Sequence, residues 1–428
     1  MVVFKALLAS ALVVLQLRCS GWPVIADAFS APAQTAIGVE TTARKRMGKK
    51  SFLLKQSRDK LPPISTPAEL HGLASSLSRR KRGSQSFYKG WIHWRAAALD
   101  AIRYDLSRNL PQEADTKNFE NLFFRLGVAS DVGRMPSFED AGARSGYAVE
   151  FFCRARNLAD LYVDGWNPYY EFPRFWLDSL METPMLGGGS CDDAAAEFGD
   201  EPYSMVSLGG GPGFDYVGAA LAASFSTYTS SSANETSSHG HNEKRMKATI
   251  LDYEEGWGDL VHAMGNSTQR ILQSPQLECS WGGKCDITKS ILDPSNEACL
   301  RLVDTTDLWT CQYCVAENAE SLRESKYVFF HDLFERAMVG SVFVLTEVHP
   351  RLWPEFYRLI EEHCPYMSAG FNRNGRQMML RKERQRTPPQ SISEKDRRLL
   401  KKFEDLGRYH ERKIRSGWER QVPKRRGA

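Results

Sequence analysis

Residues 206–218 read VSLGGGPGFDYVG. A short apolar run meets four glycines and a proline, and an alanine-rich helical pattern follows. Strand, glycine turn and helix in this order form a seat for a nucleotide-like ligand, because a turn without Cβ atoms lets backbone come close to it. Spacing separates the possible ligands. A dinucleotide site asks for GxGxxG, but the sixth position counted from Gly209 is Phe214, and from Gly211 it is Tyr216. No Lys followed by Ser or Thr closes the loop, which excludes a P-loop. The spacing that fits is GxGxG, with Gly209, Gly211 and Gly213. The bland alternative is a tight strand-to-helix turn that holds nothing.

Such a turn needs a sheet to position it. Strand patterns at Ser204–Leu208, Ala248–Leu251, Gln276–Ser280, Leu308–Val315 and Ser341–Thr346 alternate with helical patterns at Phe214–Phe225, Gly258–Gln273, Ser321–Met338 and Leu352–His363. Phe371–Arg381, with its Asn-Arg-Asn-Gly turn, reads as a closing hairpin. This alternation predicts an α/β fold: a doubly wound, mostly parallel Rossmann-like sheet over 200–384, with ligands at the carboxyl ends of its strands. Before it, FYKGWIHWRAAALDAIRYDL, NFENLFFRLGVA and SGYAVEFFCRARNLADLYVDGW carry apolar residues at helical spacing, which predicts an N-terminal helical subdomain over 86–195. The Ser/Asn/His-rich tract 226–247 reads as a polar surface insertion rather than a metal site.

Charge divides the chain. Residues 43–82 hold 12 Lys/Arg against 2 Asp/Glu, residues 381–428 hold 17 against 7, and the body between them, 83–380, carries a net −16. An acidic body between two basic ends points to RNA or another anionic macromolecule as partner, with solvated tails as the alternative. Residues 385–428 form a basic tail in which Ser393–Gln421 reads as a helix capped by Ser393, with Leu399, Leu400, Phe403 and Leu406 as a narrow apolar stripe. The nine cysteines are scattered and form no disulfide framework, and Cys311-Gln312-Tyr313-Cys314 lies inside an apolar run, where a buried structural role is expected.

The N-terminus reads as an address. Residues 1–28 have a lysine, a short apolar run and Ala26-Asp27-Ala28, the pattern of a cleaved signal peptide. Residues 29–85 are a transit-like segment followed by a basic linker. The stretch ADAFSAP is similar to the cleavage motif of the bipartite plastid presequences of algae with secondary plastids, which implies plastid import through an ER-type signal; secretion and mitochondrial import are the alternatives. No integral membrane segment is expected in the mature chain.

SLGGGPGFD resembles motif I of the class I S-adenosylmethionine-dependent methyltransferases, and the resemblance continues over residues 204–382. It implies S-adenosyl-L-methionine as cofactor, cradled by Gly209, Gly211 and Gly213. Ile250-Leu251-Asp252 matches the strand end where the family places the carboxylate that holds the ribose hydroxyls; two acceptor oxygens suit a vicinal diol. Cys285-Asp286-Ile287 matches the place of the adenine contact, which brings in Asp286 and Ile287. LWTCQYCVAEN matches the fourth motif, beside the reactive methyl. Many members carry an acid two residues before the first glycine; here Ser207 stands there, so a contact to the methionine amino group falls to Asp215. The GGGPG loop, the Tyr-x-x-x-Glu-Asn motif and the strand GSVFVLTE are also loosely similar to eukaryotic ribosomal-RNA uridine methyltransferases, whose fourth motif ends in Asn-Glu where this chain has Glu317-Asn318.

The implied chemistry is an in-line displacement at a sulfonium methyl, for which the protein supplies proximity and orientation. An N or O acceptor that bears a proton needs a base. Glu317, just past the fourth strand, is the candidate base, and Asn318 the candidate amide that holds the acceptor. Glu347 and His349 are second choices, Tyr313 is read as core, and no metal is expected. Cys311 and Cys314, placed within a strand, do not suit a nucleophile. Two functions of different class follow: methyl transfer to a nucleophilic N or O, with RNA as one acceptor, or a catalytically inactive methyltransferase-like structural or assembly subunit.

Overall fold

Local capping signals set the first helices. In the computed structural model, helix α1 (Pro67–Ser78) opens on a capping box: the Thr66 amide donates to Glu69 Oε2 at 2.7 Å and the Glu69 amide to Thr66 Oγ1 at 3.3 Å. Leu70, Ala74 and Leu77 are buried along one face. A helix thus stands where the sequence reads as linker. Helix α2 (Gln85–Arg108) is capped by Ser84, and its Phe87, Trp91 and Trp94 enclose Phe225 with ring centroids 5.8, 4.8 and 5.1 Å away. Helix α3 (Thr116–Val132) follows, then α4 (Ala141–Glu150) and α5 (Arg156–Asp164). The last two are a single helical pattern in the sequence; a 3-10 turn at Phe152–Ala155 splits them.

Residues 65–78, 80, 84–132, 135–164, 202–231, 245–348, 350–372, 374–384 and 393–421 are the described part of the chain. The presequence, most of the polar insertion and His349 lie outside the described residues.

Seven strands form one sheet: β1 (Tyr203–Leu208), β2 (Met246–Asp252), β3 (Leu277–Lys284), β4 (Leu308–Gln312), β5 (Val342–Thr346), β6 (Met367–Phe371) and β7 (Gln377–Lys382). Their order is β3-β2-β1-β4-β5-β7-β6. β1 to β5 are parallel, and β7 runs antiparallel to both β5 and β6. The helices between strands are α6 (Phe214–Ser231), α7 (Gly258–Leu272), α8 (Ala319–Glu324), α9 (Val328–Arg336) and α10 (Trp353–His363). This is the doubly wound, mostly parallel α/β sheet that the alternation predicts. The order of strand addition reverses at β1: β2 and β3 lie to one side of it and β4 and β5 to the other, which opens a crevice at the carboxyl ends of β1 and β4.

Both faces of the central strands are covered, so β5 is buried at every position. Trp309 stacks on Phe343 at 6.2 Å, and Phe330, Phe334, Trp353 and Phe356 complete this side of the core. On the other face, α1 and α2 pack over α6 and α7, so the N-terminal helices share a core with the sheet. Fully burying each large side chain contributes about 1.5–3 kcal/mol.

Three further elements differ from their sequence patterns. β4 stops at Gln312 rather than Val315, because Tyr313 turns to φ 63° and gives its amide to the Thr346 carbonyl at 2.7 Å. β3 runs on to Lys284. The pattern 321–338 is two helices, broken where Lys326 and Tyr327 adopt φ 55° and 58°. The closing hairpin is present and the tail is helical as α11 (Glu394–Gln421), with the Asp396 amide on Ser393 Oγ at 3.1 Å. No helix among the described residues is long and apolar enough to cross a membrane.

Candidate functional site

The glycine turn joins β1 to α6 at the crevice. Gly209, Gly211 and Gly213 take φ of 60°, 50° and 95°, a region L side chains rarely adopt. At Gly209 the space is filled as well: a Cβ there would lie 2.3 Å from Cys314 Sγ. The Gly213 carbonyl accepts the Val217 amide at 3.2 Å and starts the helix. The turn is tied to the end of β2 twice. The Gly210 amide donates to the Leu251 carbonyl at 3.2 Å, and the Gly211 amide to Asp252 Oδ2 at 2.9 Å. Asp252 Oδ1 accepts the Glu254 amide at 3.0 Å. Asp252 is 4% exposed, and burial pushes its carboxyl up to about 6, against the pull of the Glu254 and Gly211 amides.

Around this floor lies a cleft. The chain past β4 supplies one wall, with Gln312, Tyr313, Cys314 and Glu317. Trp257 forms a second side. The N-terminal region supplies the roof, with Met135 and Phe138 from the segment before α4, Tyr147 from α4 and Arg154 from the 3-10 turn. The 3-10 turn between α4 and α5 carries Arg154 inward, where its guanidinium donates to the Tyr147 hydroxyl and lies 4.3 Å from the Tyr313 ring centroid.

Glu317 is the free acid of the cleft. It is 7% exposed, and no hydrogen bond to its carboxyl arises from the described residues. Burial pushes it up to about 8; Arg154 pulls it down, while Glu347 and Asp252 push it further up. Glu347 is committed elsewhere. Its Oε1 accepts the Ala316 amide at 2.9 Å, and burial raises it to about 7. It therefore holds the loop that presents Glu317.

The structure brings Gly209, Gly211, Asp252 and Glu317 to one cleft, with Gly213 shaping the turn beneath. Asp215 lies below the cleft rather than in its lining. It is 2% exposed, its Oδ2 accepts Ser207 Oγ at 2.7 Å and Thr310 Oγ1 at 2.6 Å, and burial raises it to about 6. Ser207 thus shares one carboxylate with Thr310 of β4. Asp286 does not line the cleft: its Oδ1 accepts the Thr288 amide at 3.0 Å and hydroxyl at 2.6 Å, closing a local turn. Ile287 belongs to the apolar core. Asn318 starts α8 and gives its Nδ2 to the Cys314 carbonyl at 2.8 Å, so that donor is taken by the loop. Tyr313, expected in the core, lines the cleft instead, because its left-handed backbone ends the strand one residue earlier. Asn157 Nδ2 fixes its hydroxyl at 2.6 Å. Hydrogen bonding with Cys311 and burial hold the Cys314 thiol well above its ordinary range, so a thiolate nucleophile is disfavoured. Arg154 and Tyr147 carry no linear motif. They read as ordinary members of a helical stripe; Tyr147 does lie on α4, and the break at Phe152–Ala155 carries Arg154 to the site.

No protein-family model and no curated protein matches this sequence. Among solved structures, the chain is similar to an O-methyltransferase family protein from Burkholderia thailandensis, at 14% identity and a TM-score of 0.32, over 82% of this chain and 100% of that one.

Proposed function

We propose that this chain is an S-adenosylmethionine-dependent methyltransferase acting on a nucleophilic N or O, with Glu317 as general base. The observation that carries this reading is one cleft shared by two things. A left-handed glycine turn is tied through Gly211 to Asp252, and a buried acid with no hydrogen bond among the described residues lines the same cleft.

The residues present fit the cofactor. At Gly211 a Cβ would project toward Trp257 and Tyr147, the cleft's own lining, so the bare backbone there leaves room for a ligand. Each Asp252 oxygen accepts one amide and keeps a further lone pair for a ribose hydroxyl. Arg154 is the cation in the lining and would hold a carboxylate. When bound, the cofactor supplies a methyl group activated on a sulfonium. The chain does the rest. Phe138, Tyr147 and Trp257 exclude water, which strengthens every charge interaction inside. Glu317, once ionised, takes the proton from the acceptor N–H or O–H at a carboxylate oxygen. With its value near 8 it holds its own proton at neutral pH, and positive charge brought into the cleft favours the carboxylate.

The test is transfer of labelled methyl from S-adenosylmethionine by the full chain into fractionated RNA, protein and small molecules. Label in one fraction with wild type, and none with Glu317→Gln, supports the base role. Full transfer by Glu317→Gln removes it. Absence of transfer by a chain that also fails to bind the cofactor selects the inactive subunit. Plastid import remains part of the proposal, tested by fusing residues 1–85 to a fluorescent protein.

A further inference from the structure

We infer that the outer face of α11 is a docking surface for single-stranded nucleic acid. Resting on the methyltransferase reading above, this makes a nucleic acid the methyl acceptor.

The placement of α11 comes first. Leu400 and Phe403 are buried, and the Phe403 ring lies 6.3 Å from Phe371 and against Gly375. Gly375 sits in the turn between β6 and β7, just beyond the pair Thr346–Gln377 at the carboxyl end of β5. The helix also packs on the turn Pro350–Leu352, which follows Glu347, and on α10. Further along, Glu411 lies within electrostatic reach of Arg323 in α8, the helix that begins two residues after Glu317. The helix thus runs along the end of the sheet where the cleft opens, on the β4–β5 side.

The outward face follows from helical spacing. Opposite Leu400 and Phe403 stand Arg398, Lys401, Lys402, Tyr409 and Arg412, all exposed, with Asp405 as an acid among them. Arg398 has an exposed in-helix partner, Glu394, at 3.1 Å, a pair of little worth. Lys401 and Lys402 have no ion pair among the described residues. Tyr409 is 60% exposed between these cations. Cations that track a phosphate backbone, with an aromatic face free for a base, are the parts of a single-strand site. Charge contrast orients the strand: residues 83–380 carry a net −16, while α11 holds ten Lys/Arg against six Asp/Glu. A polyanion is repelled by the body and drawn to this helix. A membrane fits poorly, because Leu400 and Phe403 of the apolar stripe are already buried on the body and Leu406 alone is an exposed member of it.

The test is fluorescence anisotropy of the full chain with a labelled single-stranded RNA oligonucleotide and its DNA counterpart, across a salt series. Wild type should bind with an affinity that falls steeply with salt. Lys401→Glu/Lys402→Glu should weaken binding on the order of 100-fold at low salt, and Lys401→Gln/Lys402→Gln should lower the salt slope by about 1.4, at about 0.7 per phosphate contact. Tyr409→Ala should weaken binding about tenfold with the slope unchanged. Equal binding of the two strands supports a single-strand surface, and a preference for RNA assigns the acceptor to RNA. Unchanged oligonucleotide affinity in the Lys401→Glu/Lys402→Glu chain overturns the inference. So does stronger binding of polyglutamate or of anionic phosphatidylserine vesicles than of either oligonucleotide. Calorimetry with S-adenosylmethionine separates the two readings. Retained cofactor binding in these variants confines a failure to the docking surface, whereas failure of wild type to bind cofactor removes the methyltransferase reading and leaves the oligonucleotide result standing on its own.

Discussion

The two carboxylates that line the cleft differ in how the chain treats them. Asp252 stands at the end of β2 with one amide on each oxygen, and its burial raises it to about 6. Glu317 stands past β4 with no hydrogen bond from the described residues, and it rises to about 8. A carboxylate held by backbone amides stays ionised over most of the neutral range and suits a fixed binding role. A carboxylate left without donors holds its proton and can exchange it. Under the proposed function, similar burial gives one acid suited to binding and one suited to proton exchange, separated by hydrogen bonding.

Substitution of each acid in turn should break this contrast most visibly. Glu317→Gln removes the exchangeable proton but keeps size and polarity. It should lower turnover by roughly 10²–10⁴-fold while cofactor affinity stays within a few fold, as read by labelled-methyl transfer beside calorimetry. Asp252→Ala should do the reverse at the binding step, with affinity for S-adenosylhomocysteine lowered on the order of 100-fold, since it removes the acceptor oxygens and frees the Gly211 amide. A smaller effect, about tenfold weaker cofactor binding, is expected of Arg154→Gln, which leaves Tyr147 and Tyr313 in place but removes the roof's charge. If affinity is unchanged in Arg154→Gln, the guanidinium serves the acceptor or the fold instead.

The same contrast sets the pH dependence of stability. Asp215 and Asp252 at about 6, Glu347 at about 7 and Glu317 at about 8 all lie above the ordinary carboxylate range. The folded chain therefore binds these protons more tightly than the unfolded chain. That stabilisation is complete below the ordinary range and is lost as pH rises through 6 to 8. The melting temperature of the ligand-free chain should fall between pH 5 and pH 8, as followed by circular dichroism. Glu317→Gln should flatten the upper part of that fall and Asp252→Asn the lower part. A melting temperature that rises over the same interval contradicts the burial of these acids.

Legibility in the sequence follows the same division. The floor is local: GxGxG directly after β1 and an acid at the very end of β2 can be found because apolar runs stop abruptly at turn residues. The position of Glu317 is also local, since it follows β4 by a short loop. The orientation of side chains past β4 is not. Left-handed backbone at Tyr313 brings its ring to the cleft, and the pull of the Cys314 carbonyl takes the Asn318 amide away from it. The roof is the least visible part. Arg154 reaches the site from far along the chain, through a helix break that helical spacing conceals. The helix at Pro67–Ser78 carries a readable signal, Thr66-Pro67-Ala68-Glu69, but the strongly basic residues around it mask the element as linker.

The most direct measurement is calorimetric titration of the full chain with S-adenosylmethionine and S-adenosylhomocysteine, with Asp252→Ala alongside. Saturable binding of both by wild type, lost or greatly weakened in the variant, is the expected result. A folded wild-type chain that binds neither would contradict the central claim and leave VSLGGGPGFD as a tight turn that joins a strand to its helix.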